Sequence, residues 1–116
     1  MLQYFNKALE LLNTSFEKPR LLSMIASVYS MKATSLPRDK IHEKDQLFLL
    51  SNKHFIESTK LDPSHGDTWR NWAISTYSQG NYSDTWEKVK QAKIHNAEPF
   101  SPEFLRDLAQ KKPEPK

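Results

Sequence analysis

Residues Lys60–Trp86 read KLDPSHGDTWRNWAISTYSQGNYSDTW. The stretch holds all three tryptophans of the chain, Trp69, Trp72 and Trp86, and both glycines, Gly66 and Gly80. Two arrangements would gather so much aromatic mass and turn chemistry in one place. One is a catalytic pocket, which needs acid–base or nucleophilic companions elsewhere. The other is a structural repeat, which needs helices of matching pattern on either side.

DTWRNWAISTYSQ places Trp69, Trp72, Ala73 and Thr76 on one face of a helix. GNY is a tight turn in which Gly80 takes the left-handed conformation that ends a helix. SDTWEKVKQAKIHN then gives a second helix with Trp86, Val89 and Ala92 inside. Upstream, DPSHG stops the preceding helix, because Pro63 disfavours helical backbone at Asp62. That helix, EKDQLFLLSNKHFIESTKL, is read with Leu47, Leu50, His54, Ser58 and Leu61 on its inner stripe, flanked by Phe48 and Phe55. TSLPRDKIHEKD is a polar loop or a loose helix start. RLLSMIASVYSMKA is a helix with Leu22, Ile25, Ala26 and Tyr29 on one face, and Pro19 suits its first turn. MLQYFNKALELL repeats apolar residues at Leu2, Phe5, Ala8, Leu11 and Leu12, an amphipathic helix. It has no capping residue ahead of it, which points to a chain cut from something longer. At the other end Ser101 is an N-cap and Pro102 the first residue of a short helix.

The chain has 116 residues, a length that favours one domain. Hydrophobic residues are 37% and charged residues 27%, the balance of a soluble chain that folds. Glycine is scarce, so an all-α protein is expected. The absence of cysteine excludes disulfides, thiolate metal sites and cysteine nucleophiles. No apolar run approaches the roughly 18 residues of a membrane helix, so no membrane partner is expected. No signal peptide is visible, which leaves the cytoplasm as the default compartment. The net charge of +3 resides mostly in the tail KKPEPK, where three lysines outnumber one glutamate. The near-neutral body offers little electrostatic footprint for nucleic acid.

The pattern resembles the tetratricopeptide repeat, a helix-turn-helix unit of about 34 residues. Trp69 matches the early tryptophan of the repeat. Trp72 and Ala73 match its large-then-small pair, Gly80 and Tyr82 its turn, and Val89 and Ala92 its second helix. Leu61, Asp62 and Pro63 match the close of the preceding unit. Thr85 departs from the family, which has alanine there, and no proline follows KIHN at the expected place. An earlier unit matches less well, through Leu22, Ile25, Ala26 and Tyr29, then Phe55, Ser58 and Leu61. Tyr29 to Phe55 spans 26 residues against 13 for Thr76 to Val89, so this unit holds an insertion of 13 residues, around 32–45. The resemblance implies an all-α fold of antiparallel helix-turn-helix repeats stacked as a short right-handed solenoid. It divides a single domain, 1–110, into a half-unit (2–13), a unit with insertion (19–65), a near-complete unit (66–96) and a capping helix (101–110), with a flexible basic tail (111–116).

Catalytic constellations are missing from the sequence. His42, His54, His65 and His95 show no metal-ligand spacing. His54 lies on an apolar stripe as a hydrogen-bonded structural histidine, while His42 and His65 are expected in solvent. Glu103 and Asp107 share one exposed face, and Glu87 to Lys90 form a charged one. Asn81-Tyr82-Ser83 fits a glycosylation sequon, but turn geometry explains its asparagine. The three tryptophans are expected in the helix interfaces, with Trp72 or Trp86 keeping an exposed edge.

The resemblance implies instead a non-catalytic module that binds a partner peptide or protein segment in a concave groove, with no cofactor and no metal. Its groove positions fall on Arg20, Ser23, Ser27 and Ser30 of the earlier unit, and on Asp67, Arg70, Asn71, Ile74 and Tyr77 of the later one. This lining is polar, with two arginines able to pair a carboxylate. The family's lysine–asparagine clamp for chaperone tails is replaced here by Ser23 and Ser27, so that ligand is not expected. The alternative is self-assembly, or docking to neighbouring repeats of a longer protein, through the free face of the first helix. Nucleic-acid binding is the weaker third reading.

Overall fold

A computed structural model describes residues 18–115. The expected first helix, 2–13, lies outside the described residues. Within them are five helices: α1 Lys18–Ser35, α2 Ile41–Leu61, α3 Gly66–Ser78, α4 Tyr82–Ile94 and α5 Pro102–Lys111. No strand occurs among the described residues.

The helices form two antiparallel hairpins and a closing helix. Ser58 on α2 donates to the Pro19 carbonyl at 2.6 Å and Ser51 to the Ala26 carbonyl at 2.7 Å. As α2 advances, its partners on α1 recede, so the pair is antiparallel. The same two hydroxyls lie 3.3 Å from Thr68 Oγ1 and 3.5 Å from Ser75 Oγ on α3. Hence α3 runs antiparallel to α2 and parallel to α1. Asn71 on α3 donates to Ser23 on α1 at 3.3 Å. The seam between the hairpins is therefore built on small hydroxylated side chains. All four seam residues, Ser51, Ser58, Thr68 and Ser75, are buried, and their hydroxyls are satisfied locally.

This seam corrects the expected inner stripe of α2. The buried residues there are Ser51, Phe55 and Ser58. Leu50 and Leu61 are 38% and 44% exposed. Hydrophobic weight placed the stripe on the leucines, but the close approach of α1 and α3 requires small side chains. Serine meets that need while returning its hydroxyl to a backbone carbonyl. On α1, Leu22, Ile25 and Ala26 are buried as expected. The first hairpin is longer than the second mainly in its helices, with α1 and α2 running 18 and 21 residues against 13 each for α3 and α4.

The second hairpin carries its own core. Ala73, Trp86, Val89, Ala92, Phe100 and Leu108 are buried together, and Tyr77, Phe104 and Leu105 pack against them. Both helices of this hairpin end in the same kind of turn. Asn81 N–H bonds the Thr76 carbonyl and Gly80 N–H that of Tyr77, with Gly80 at φ 80°. Ala97 N–H bonds Ala92 and Asn96 N–H bonds Lys93, with Asn96 at φ 58°. A left-handed residue followed by this pair of bonds satisfies the last carbonyls of each helix. Thr85, where the repeat pattern has alanine, is buried within 2.9 Å of Thr76 Oγ1 and donates to the Asn81 carbonyl. The departure from the pattern is thus matched by a second threonine across the hairpin. Helix α5 begins as expected, the Ser101 hydroxyl accepting from Phe104 N–H at 3.1 Å with Pro102 next.

Candidate functional site

The tryptophans divide between two roles. Trp86 is buried and donates its indole N–H to the Lys112 carbonyl at 2.7 Å, which ties the end of α5 to the start of α4. Trp69 and Trp72 are half-buried. Phe55, Trp72 and Trp69 stack in a row, with centroid separations of 5.8 and 5.6 Å. Lys88 covers this row, its ammonium 4.2 Å from the Trp72 ring centroid and 3.5 Å from the Glu87 carboxylate. Lys88 was expected on a solvated charged face. It is buried instead, its stem on the aromatic row and its charge answered by both the ring and Glu87.

The groove positions do not act as one set. Ser23 is 2% exposed and occupied by Asn71, and Ser30 is also buried. Arg70 donates Nε–H to the Glu98 carbonyl at 3.0 Å, with its guanidinium 5.4 Å from the Phe100 ring. Tyr77 packs between Tyr82 and Phe104, at 5.6 and 5.1 Å. Arg70 and Tyr77 therefore hold the linker and α5 against α3. Ser27 and Asn71 are half-buried, whereas Arg20, Asp67 and Ile74 are exposed.

Two further side chains join that exposed set, Met24 and Met31, the second 69% exposed. With 3.6 residues per turn, Met24, Ser27 and Met31 fall opposite the buried Leu22, Ala26 and Ala33 of α1. Ile74 falls opposite Trp72 and Thr76 of α3. Because α1 and α3 run side by side in parallel, the exposed strip carries apolar side chains flanked by Arg20 and Asp67. The expectation of a polar lining is corrected: Ser23 serves the helix contact, Ser30 is buried, and Met24 and Met31 stand exposed on the side of Ser27. Their spacing of seven residues was the available signal.

The histidines serve local structure. His54 Nδ1 donates to the Leu50 carbonyl at 2.8 Å, and its ring lies 5.4 Å from Tyr29. His65, expected in solvent, is half-buried with Nδ1 2.7 Å from Thr68 Oγ1. Among the described residues no group of three His, Cys, Asp or Glu side chains could hold a metal ion. Nor is any described helix long and apolar enough to cross a membrane.

One carboxylate is perturbed. The Ser64 hydroxyl, 2.6 Å from Asp62 Oδ1, holds this carboxyl below its usual value, helped by the Ser64 N–H and by the charges of His65 and Arg20. A folded-state value below the unfolded one stabilises the protein above the unfolded value, and the benefit is lost as pH falls through the folded one. Ser64→Ala is expected to raise the Asp62 titration midpoint toward the ordinary carboxylate value, read by carboxyl NMR. An unchanged midpoint would assign the shift to another cause.

No protein-family model, curated protein or solved structure compared with the chain matches it. The tetratricopeptide resemblance rests on the residues quoted for it.

Proposed function

We propose that the protein is a non-catalytic interaction module that binds a segment of a partner protein along the face shared by α1 and α3. In this reading the two hairpins are tetratricopeptide-like units of a short right-handed solenoid, and α5 takes the place of the next first helix as a cap. The observation that carries the proposal is the exposed strip of Met24, Met31 and Ile74 on two parallel neighbouring helices. Flexible thioethers adapt to varied apolar side chains, and Arg20 and Asp67 beside them supply charges of both signs. A peptide laid along α1 and α3 would set its apolar side chains on this strip.

The test is selection of binding peptides from a displayed random library, followed by affinity measurement on wild type and on Met24→Asp/Ile74→Asp. Both positions are exposed, so the pair of substitutions leaves the core intact. Selected peptides are expected to lose at least about tenfold in affinity, the equivalent of roughly 1.4 kcal/mol. Equal affinity for both proteins would place the binding surface elsewhere.

A further inference from the structure

A second apolar surface lies on α2. Ile41, Leu49 and Ile56 are all exposed, and Leu49, at 71%, is the most exposed large apolar side chain described. At 100° per residue they fall on one side of the helix, with half-buried Phe48 beside them. Ile41 and Leu49 line an open cavity of about 560 Å³ together with Phe48, Asn52, Gln79 and Asn81.

The pattern along this stripe is nearly symmetric about Leu49. Ile41 precedes it by eight residues and Ile56 follows by seven. Asp45 precedes it by four and Lys53 follows by four. Both are exposed, and neither forms an ion pair among the described residues. A two-fold axis through Leu49 sets an identical helix antiparallel to this one. It places Asp45 opposite Lys53 of the second copy, twice, and brings the isoleucines of each copy to the two ends of the other's stripe. Such an isologous contact needs one self-complementary patch, and opposite charges at mirrored positions supply the register.

We infer that α2 is a homodimerisation surface, the second copy lying antiparallel across Ile41, Leu49 and Ile56. The contact is separate from the α1–α3 face, so either can fail without the other. Sedimentation equilibrium from about 1 to 300 µM, the weak range of specific association, tests it. Wild type is expected to pass from monomer to dimer, and Leu49→Glu to weaken the dimer at least tenfold. Asp45→Lys or Lys53→Asp alone, which oppose like charges, should weaken it also, and the two together should restore it. Because the chain has no cysteine, Leu49→Cys should oxidise to a disulfide-linked dimer, while Glu87→Cys on α4 should not. A wild type that stays monomeric throughout overturns the inference, whichever other segment covers the stripe. So does a dimer indifferent to Leu49→Glu, or a double charge exchange that fails to restore association.

Discussion

Phe55→Ala is expected to destabilise the protein by about 3–5 kcal/mol, the range for deleting a fully buried phenylalanine ring. Phe55 is the largest of the fully buried side chains. It stands on α2 between the two seam serines and stacks on Trp72 of α3 at 5.8 Å with the rings 14° apart. Removing it opens a cavity where the first hairpin meets the second. Its neighbours Ser51 and Ser58 are held to α1 by their hydrogen bonds and cannot close the gap. Urea unfolding followed by tryptophan fluorescence measures the loss, and the native emission should also change because Trp72 loses its stacking partner. A cost below about 0.5 kcal/mol, the scale of a surface substitution, would mean that α2 and α3 do not meet at this residue.

Gly66→Ala should also destabilise, against the usual preference of helices for alanine. That preference favours alanine by about 1 kcal/mol. Here a Cβ would stand 2.6 Å from the His95 carbonyl oxygen and 2.9 Å from the Ala97 backbone nitrogen. Both obstacles are backbone, fixed by the left-handed turn at Asn96 that ends α4. The start of α3 and the end of α4 would have to separate, at a net cost of about 1–3 kcal/mol, the range for overpacking. Thermal unfolding checks this, and an unchanged or raised Tm would contradict the close approach. Gly80 is needed for a different reason. A Cβ there meets nothing within 4 Å, and the demand comes from its positive φ.

The role of Gly80 was legible in the sequence because a turn between two periodic segments calls for left-handed backbone. The role of Gly66 was not, because it depends on where a turn some thirty residues later comes to rest. The helices of the second hairpin were legible because tryptophan, valine and alanine carry their periodicity in plain hydrophobic weight, and α5 because Ser101 and Pro102 mark its start. The inner stripe of α2 was misassigned because it is serine, phenylalanine, serine. Hydrophobic periodicity does not register a buried hydroxyl whose partner is a carbonyl on another helix. The burial of Lys88 was illegible on the same grounds, since it depends on Trp72 lying beneath it.

The proposed interaction face was half legible. The repeat resemblance pointed to Asp67 and Ile74 on α3, and both side chains are exposed. It could not show that α5 and its linker would claim Tyr77 and Arg70, a contact between segments far apart in sequence. On α1 the alignment drew attention to Ser23 and Ser27 and away from Met24 and Met31, which share the exposed side.

The most direct test of the interaction face is amide NMR of labelled protein titrated with a peptide selected for binding. Shift changes should concentrate on exposed positions of α1 between Arg20 and Met31 and of α3 between Asp67 and Ser78. Changes confined to the outer side of α4, or to the Ile41–Ile56 stripe of α2, would contradict the account.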